Sequence, residues 1–128
     1  MLEITALYAA LLTFILLWLA ARVIIYRRKN RISLGDNGNN SLLKRMRAHS
    51  NFVEYAPFGV VLLALVELQG SPAFVVHGLG LMLLVGRGLH AYGFSASPPS
   101  MRLRVGGTLL TLTMLLLSAI GLLAHSLF

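Results

Sequence analysis

The sequence predicts an all-α integral membrane protein, a single domain of residues 1–128 built as a bundle of four transmembrane helices. Two observations lead to this fold class. Of the 128 residues, 57% are hydrophobic and only 12% are charged, and a soluble domain of this size could not bury so much apolar surface. The apolar residues also form four continuous stretches, and about 20 helical residues cross a hydrocarbon core of about 30 Å.

The four helices are predicted at about residues 4–26, 41–69, 72–94 and 102–125. The first apolar stretch, from about Ile4 to Tyr26, is interpreted as a membrane helix because it is too long for a secretory signal and lacks its basic leading segment. The second helix is predicted to begin in the polar turn SLGDNGNNS, with Asn40 or Ser41 as its N-cap. The third is rich in glycine, which permits close helix packing or leaves room for a ligand. The fourth carries no charged residue after Arg104.

Basic residues are concentrated in two of the connections between helices. The first connection carries Arg27, Arg28, Lys29, Arg31, Lys44, Arg45 and Arg47, and the connection between helices 3 and 4 carries Arg102 and Arg104. The positive-inside rule therefore predicts that both connections are cytoplasmic and both termini extracytoplasmic. Topology and attraction to anionic lipid head groups explain most of the formal charge of +7, so no nucleic acid partner is predicted.

The chain contains no cysteine. A disulfide framework, a thiolate metal site and a cysteine nucleophile are therefore excluded, and no metal site is predicted.

Three polar residues lie where helix 2 enters its apolar segment. Arg47, Asn51 and Glu54 are four and three residues apart, which places them on one helix face. A carboxylate inside a membrane helix costs up to about 2.5–3.5 kcal/mol, and less near the interface. Two interpretations remain open at this point: a polar network that only joins helices at the membrane surface, or a pocket for a hydrophilic ligand.

Helix 3 favours the pocket. Arg87 and His90 are three residues apart on one face near the same end of the bundle, and Arg104 begins helix 4 there. Two other histidines, His77 and His125, are interpreted as packed residues. Several guanidinium groups with one carboxylate suit a ligand that carries two carboxylates and an ammonium. Glutathione has this pattern, as do other zwitterionic peptides and lipid head groups.

The helix 2 motif R-x-H-x-N-x-x-E-Y-x-P resembles that of the MAPEG superfamily (membrane-associated proteins in eicosanoid and glutathione metabolism), and of its bacterial members in particular. The segments GR-x-x-H on helix 3 and LRVGGTLL on helix 4 extend the resemblance to nearly the whole chain. It implies a homotrimer of four-helix protomers in a bacterial inner membrane. It also implies that glutathione binds near the cytoplasmic surface between adjacent subunits.

The resemblance also implies roles for individual residues. Most of the glutathione contacts come from helices 2 and 3: Arg47, Asn51, Glu54, Arg87 and His90. Glu54 would bind the γ-glutamyl amine. Arg27, with Arg28 as its nearest alternative, would bind a carboxylate.

Arg104 matches the arginine proposed to stabilise the glutathione thiolate, the reactive form of the sulfur. Ser50 and Phe94 depart from eicosanoid-forming members, in which an arginine and a tyrosine are common. The expected activity is therefore a glutathione transferase or peroxidase acting on lipophilic electrophiles that arrive from the bilayer, with glutathione as co-substrate. The alternative is a non-catalytic membrane protein that binds glutathione or lipid. A transporter is less favoured, because the polar groups cluster at one membrane face.

Overall fold

The computed structural model describes residues 1–128 as four α helices without strands. They are α1 (Glu3–Asn30), α2 (Asn40–Leu68), α3 (Ala73–Ser95) and α4 (Met101–Leu127). All four are long and apolar enough to cross a membrane. The predicted all-α fold class, a bundle of four membrane-spanning helices, is confirmed.

Helix α1 extends beyond its apolar stretch. Arg27, Arg28 and Lys29 form its last turn, and Arg31 ends it in a left-handed conformation at φ 55°. Cations at a helix C-terminus interact favourably with the helix dipole, which explains why the basic run continues the helix and does not begin a loop.

The N-cap of α2 is Asn39, so the prediction of Asn40 or Ser41 was wrong. The Asn39 backbone is extended, and its side-chain oxygen accepts a 3.0 Å hydrogen bond from the Leu42 N–H group. The same oxygen accepts a 3.1 Å bond from the Tyr26 hydroxyl group of α1. Asn39 therefore caps one helix and ties it to the preceding one.

Helices α2 and α3 form the centre of the bundle. Helix α1 packs against α2 and α3, α4 packs against the same two helices, and α1 does not contact α4. The core is apolar, and Leu19, Leu63, Leu83 and Met114 are fully buried within it. The two flanking helices therefore present separate faces of the bundle.

Glycine allows α3 and α4 to touch through their backbones. A Cβ atom on Gly107 would overlap the Gly86 carbonyl oxygen and lie 2.6 Å from the backbone nitrogen of His90. A Cβ atom on Gly93 would lie 2.9 Å from the backbone nitrogen of Arg104. These contacts favour the close-packing explanation of the glycines, and they fix His90 relative to the start of α4.

Glu67 caps α1 at the other end of the bundle. Its carboxylate oxygens accept hydrogen bonds of 3.1 Å and 2.8 Å from the Ile4 and Thr5 N–H groups. Beside it, the Tyr8 hydroxyl group lies 2.9 Å from His77 Nδ1, in agreement with a packed role for this histidine. His125 is exposed near the end of α4, so its interpretation as a packed residue was wrong.

Candidate functional site

A cavity of about 340 Å³ lies between α2, α3 and α4, where the α3–α4 connection closes the bundle. Four of the predicted site residues line it: Arg47, Asn51, His90 and Arg104. The remaining wall is formed by Phe94, Met101, Val105, Thr108 and Leu109. The cavity therefore has a cationic and amide-lined part beside an apolar part.

Arg104 is held in this cavity by an aromatic side chain. Its guanidinium carbon lies 4.0 Å from the centroid of the Phe94 ring, which is a cation–π geometry. The Phe94 ring in turn lies 5.5 Å from the His90 ring, tilted by 52°. Phe94 thus orients Arg104, the predicted catalytic residue. It stands at the position where a tyrosine was described as common in eicosanoid-forming proteins.

Arg87 does not line the cavity. Its side chain is buried, with 1% of its surface exposed, and its Nε atom donates a 3.0 Å hydrogen bond to Thr111 Oγ1. Its Nη1 atom donates to the side-chain oxygen of Asn51, and the Tyr55 ring lies 5.3 Å from its guanidinium carbon. Arg87 therefore fixes the Asn51 amide and leaves the Asn51 nitrogen free to donate to a ligand.

Two threonines on α4 belong to the site although the sequence reasoning missed them. Thr108 lines the cavity, and Thr111 accepts from Arg87 while its own hydroxyl donates a 2.8 Å bond to the Gly107 carbonyl. A sequence signal was present, because these threonines follow Arg104 by four and seven residues, on the same helix face.

Glu54 and Arg27 lie outside the cavity. Glu54 is exposed on α2 and is not among the lining residues. Arg27 lies in the last turn of α1, where its guanidinium donates a 2.7 Å bond to the Gly35 carbonyl. Since α1 does not contact α4, one protomer does not bring Arg27 to Arg104.

The cavity is electrostatically positive. Arg47 and Arg104 line it, and no carboxylate does. The one ion pair in the structure joins the N-terminal ammonium to Glu3, at 4.0 Å. No group of three or more His, Asp or Glu residues is placed to hold a metal ion. The arrangement is therefore suited to a ligand that carries carboxylates or another anionic group.

The fold and the site together define a class: a small membrane protein of four helices with a positively charged cavity at one end of the bundle. The MAPEG family model matches residues 5–124, and the chain belongs to this family, which confirms the predicted resemblance. Inner membrane protein YecN of Escherichia coli (strain K12) is 38% identical over 91 residues, which cover 71% of this chain and 70% of YecN. The protein of the same name from E. coli strain CFT073 matches with the same identity and coverage.

Proposed function

We propose that this protein binds glutathione in the cavity between α2, α3 and α4 and uses it as the co-substrate against lipophilic electrophiles, as a transferase or a peroxidase of the inner membrane. One observation carries this proposal: Arg47, Asn51 and Arg104, from two helices, converge on one cavity that also has an apolar part. The cationic part suits the carboxylates and the thiolate of glutathione, and the apolar part suits a substrate that partitions into the bilayer.

The proposed reaction uses Arg104 as the partner of the sulfur. A neighbouring cation favours the ionised thiol, so the S–H proton leaves to water and the thiolate remains beside the guanidinium group. The thiolate then attacks an electrophilic carbon, a C–S bond forms, and the leaving group departs with the electron pair of its broken bond. Phe94 holds Arg104 in place, while Arg47 and Asn51 bind the peptide.

A homotrimer is part of the proposal, because one protomer leaves two predicted residues unused. Glu54 lies 14 residues after the first residue of α2 and is exposed, although a carboxylate facing lipid costs up to about 2.5–3.5 kcal/mol. A neighbouring subunit that covers Glu54 and contributes Arg27 from its α1 would remove this cost. It would also complete the ligand set of glutathione between subunits.

The test is isothermal titration of glutathione into the detergent-purified protein. Glu54→Gln keeps the shape of the side chain and removes the charge offered to the glutathione ammonium, so the affinity should fall about tenfold or more. Glu3→Gln is the matched control, because Glu3 is exposed at the opposite end of the bundle, and its affinity should equal that of the wild type. A wild-type protein that does not bind glutathione would refute the proposal.

One observation favours a second candidate, a membrane protein that binds glutathione without turnover. Phe94 lies beside Arg104 and His90, and it offers no hydroxyl group at a position where eicosanoid-forming members often have a tyrosine. Glutathione binding without thiolate formation or conjugation would identify this alternative.

A further inference from the structure

A second polar depression lies on the opposite flank of the bundle, between α1 and α2. This α1–α2 groove has a volume of about 510 Å³ and is lined by Trp18, Ala21, Arg22, Ile25, Tyr26, Lys29, Asn30 and Arg45. It shares no residue with the cavity that contains Arg104. The predicted glutathione site therefore does not explain its charges.

The arginines of the groove are held in place before any ligand binds. Arg22 donates a 2.5 Å hydrogen bond to the Ser95 hydroxyl oxygen, and its guanidinium carbon lies 5.3 Å from the Trp18 ring. Arg45 lies over the Tyr26 ring at 4.3 Å and donates a 3.1 Å bond to the Ser41 carbonyl oxygen. A guanidinium group has five N–H donors, so both arginines keep free donors that are already oriented.

The chain supplies no anion to these cations. None of the residues that line the groove is acidic, and the chain has four acidic residues in all. Glu3 pairs with the N-terminal ammonium, Asp36 accepts a bond from the Gly38 N–H group, and Glu67 caps α1. Glu54, the fourth, forms no ion pair and is not among the groove residues. The counter-ion must therefore come from outside the protomer.

The depth of the groove and its apolar rim indicate the source of that anion. Arg22 follows the first residue of α1 by 19 positions, about 29 Å along the helix at about 1.5 Å per residue. It therefore lies near the boundary of a hydrocarbon core of about 30 Å, where phosphate groups begin. Trp18 precedes Arg22 by four residues, so it lies on the hydrocarbon side of Arg22, and it is 46% exposed on the rim. An apolar side chain at this position makes no favourable contact with an inorganic phosphate ion, whereas an acyl chain would pack against it.

We propose that the α1–α2 groove binds the phosphate of an anionic phospholipid, through Arg22, Lys29 and Arg45, with an acyl chain against Trp18. Anionic lipids would be preferred because three cations face one phosphate, and a zwitterionic lipid brings its own ammonium to the same place.

The test is native mass spectrometry of the full chain, purified, delipidated and supplied with equal amounts of phosphatidylglycerol and phosphatidylethanolamine. The wild type should retain phosphatidylglycerol about tenfold more strongly. Arg22→Gln should weaken that retention about tenfold. The double variant Lys29→Gln with Arg45→Gln should do so at least as much, and it leaves the bond between Arg22 and Ser95 intact.

Arg102→Gln is the matched control, because Arg102 is an exposed cation at the same end of the bundle and does not line the groove. It should retain phosphatidylglycerol within about twofold of the wild type. Equal losses in the control and the groove variants would overturn the proposal in favour of general attraction. Displacement of the lipid by millimolar inorganic phosphate would overturn it in favour of a free-phosphate site. A change of oligomeric state without a change in lipid retention would overturn it in favour of a subunit contact.

Discussion

Replacement of Arg87 by methionine tests whether Arg87 positions the proposed glutathione site or contacts the ligand directly. Arg87 is buried beneath Asn51 and donates to its side-chain oxygen and to Thr111. Its Nη2 atom is buried and has no hydrogen-bond partner. Methionine keeps most of the apolar volume and removes both the charge and the anchor of the Asn51 amide.

Two opposing effects determine the stability of Arg87→Met. The bonds to Asn51 and Thr111 are lost, at about 1.5–3 kcal/mol each for a charged donor. In the opposite direction, the variant avoids the desolvation cost of burying a guanidinium group without a carboxylate partner, which is several kcal/mol. Thr111 keeps its bond to the Gly107 carbonyl. We therefore expect the free energy of unfolding to change by less than about 1 kcal/mol.

The affinity for glutathione should respond differently. An Asn51 amide without its anchor must be ordered by the ligand, at about 0.5–1.5 kcal/mol for one side chain. This corresponds to a rise of about two- to tenfold in the Kd. Isothermal titration measures this Kd, and thermal unfolding in detergent shows that the variant is folded.

A double-mutant cycle provides the refutation. If Arg87 acts through Asn51, Arg87→Met should have no further effect on affinity in a protein that already carries Asn51→Ala. If the two losses in binding free energy add, Arg87 contacts glutathione itself and the positioning role is wrong.

Three further predictions concern other parts of the molecule. Arg104→Ala should abolish the ultraviolet absorbance of bound thiolate near neutral pH and reduce the rate of conjugation of a chlorodinitrobenzene, while much of the glutathione affinity remains. The control Arg102→Ala should keep both the absorbance and the conjugation rate. The opposite pattern would make Arg102 the partner of the sulfur. Glu67→Ala should lower the free energy of unfolding by about 1–2 kcal/mol, because Leu2 provides no side-chain cap for α1; a thermal midpoint in detergent equal to that of Glu3→Gln would contradict this. A reporter fused after Phe128 should be extracytoplasmic and one inserted near Asn39 cytoplasmic, and two reporters on the same side would exclude a protomer that crosses the membrane four times.

The fold was predictable because it depends on local composition. Four apolar stretches must satisfy their backbone hydrogen bonds within helices. The polar residues that interrupt these stretches were also informative, since Arg47, Asn51, His90 and Arg104 line one cavity. Helical spacing placed the first two on a shared face, and the glycine-mediated contact of α3 with α4 brings the other two together.

The remaining features depend on packing between helices, which spacing along one helix does not determine. The N-cap of α2 is Asn39 because its side chain also meets Tyr26 of α1, and the composition of the turn did not distinguish it from Asn40. Arg87 shares a helix face with His90 in the sequence, yet Thr111 and Asn51 hold it beside the cavity and not within it. Glu54 and Arg27 do not line the cavity, because it is formed by other faces of the helices, and the proposed contact with a neighbouring subunit is not encoded in the spacing along one helix.

The two ends of the bundle differ in how their charges are compensated. At the end near Glu67, the carboxylate and the Tyr8–His77 pair are hydrogen-bonded within the chain. At the other end, no basic side chain forms an ion pair with a carboxylate, so anions from outside must compensate them. Arg45 and Arg47 are two residues apart on α2, so their side chains point in nearly opposite directions, about 160° apart. Arg45 faces the α1–α2 groove and Arg47 faces the cavity of Arg104. Under the two proposals, the basic run before the apolar part of α2 would bind a lipid on one flank and glutathione on the other.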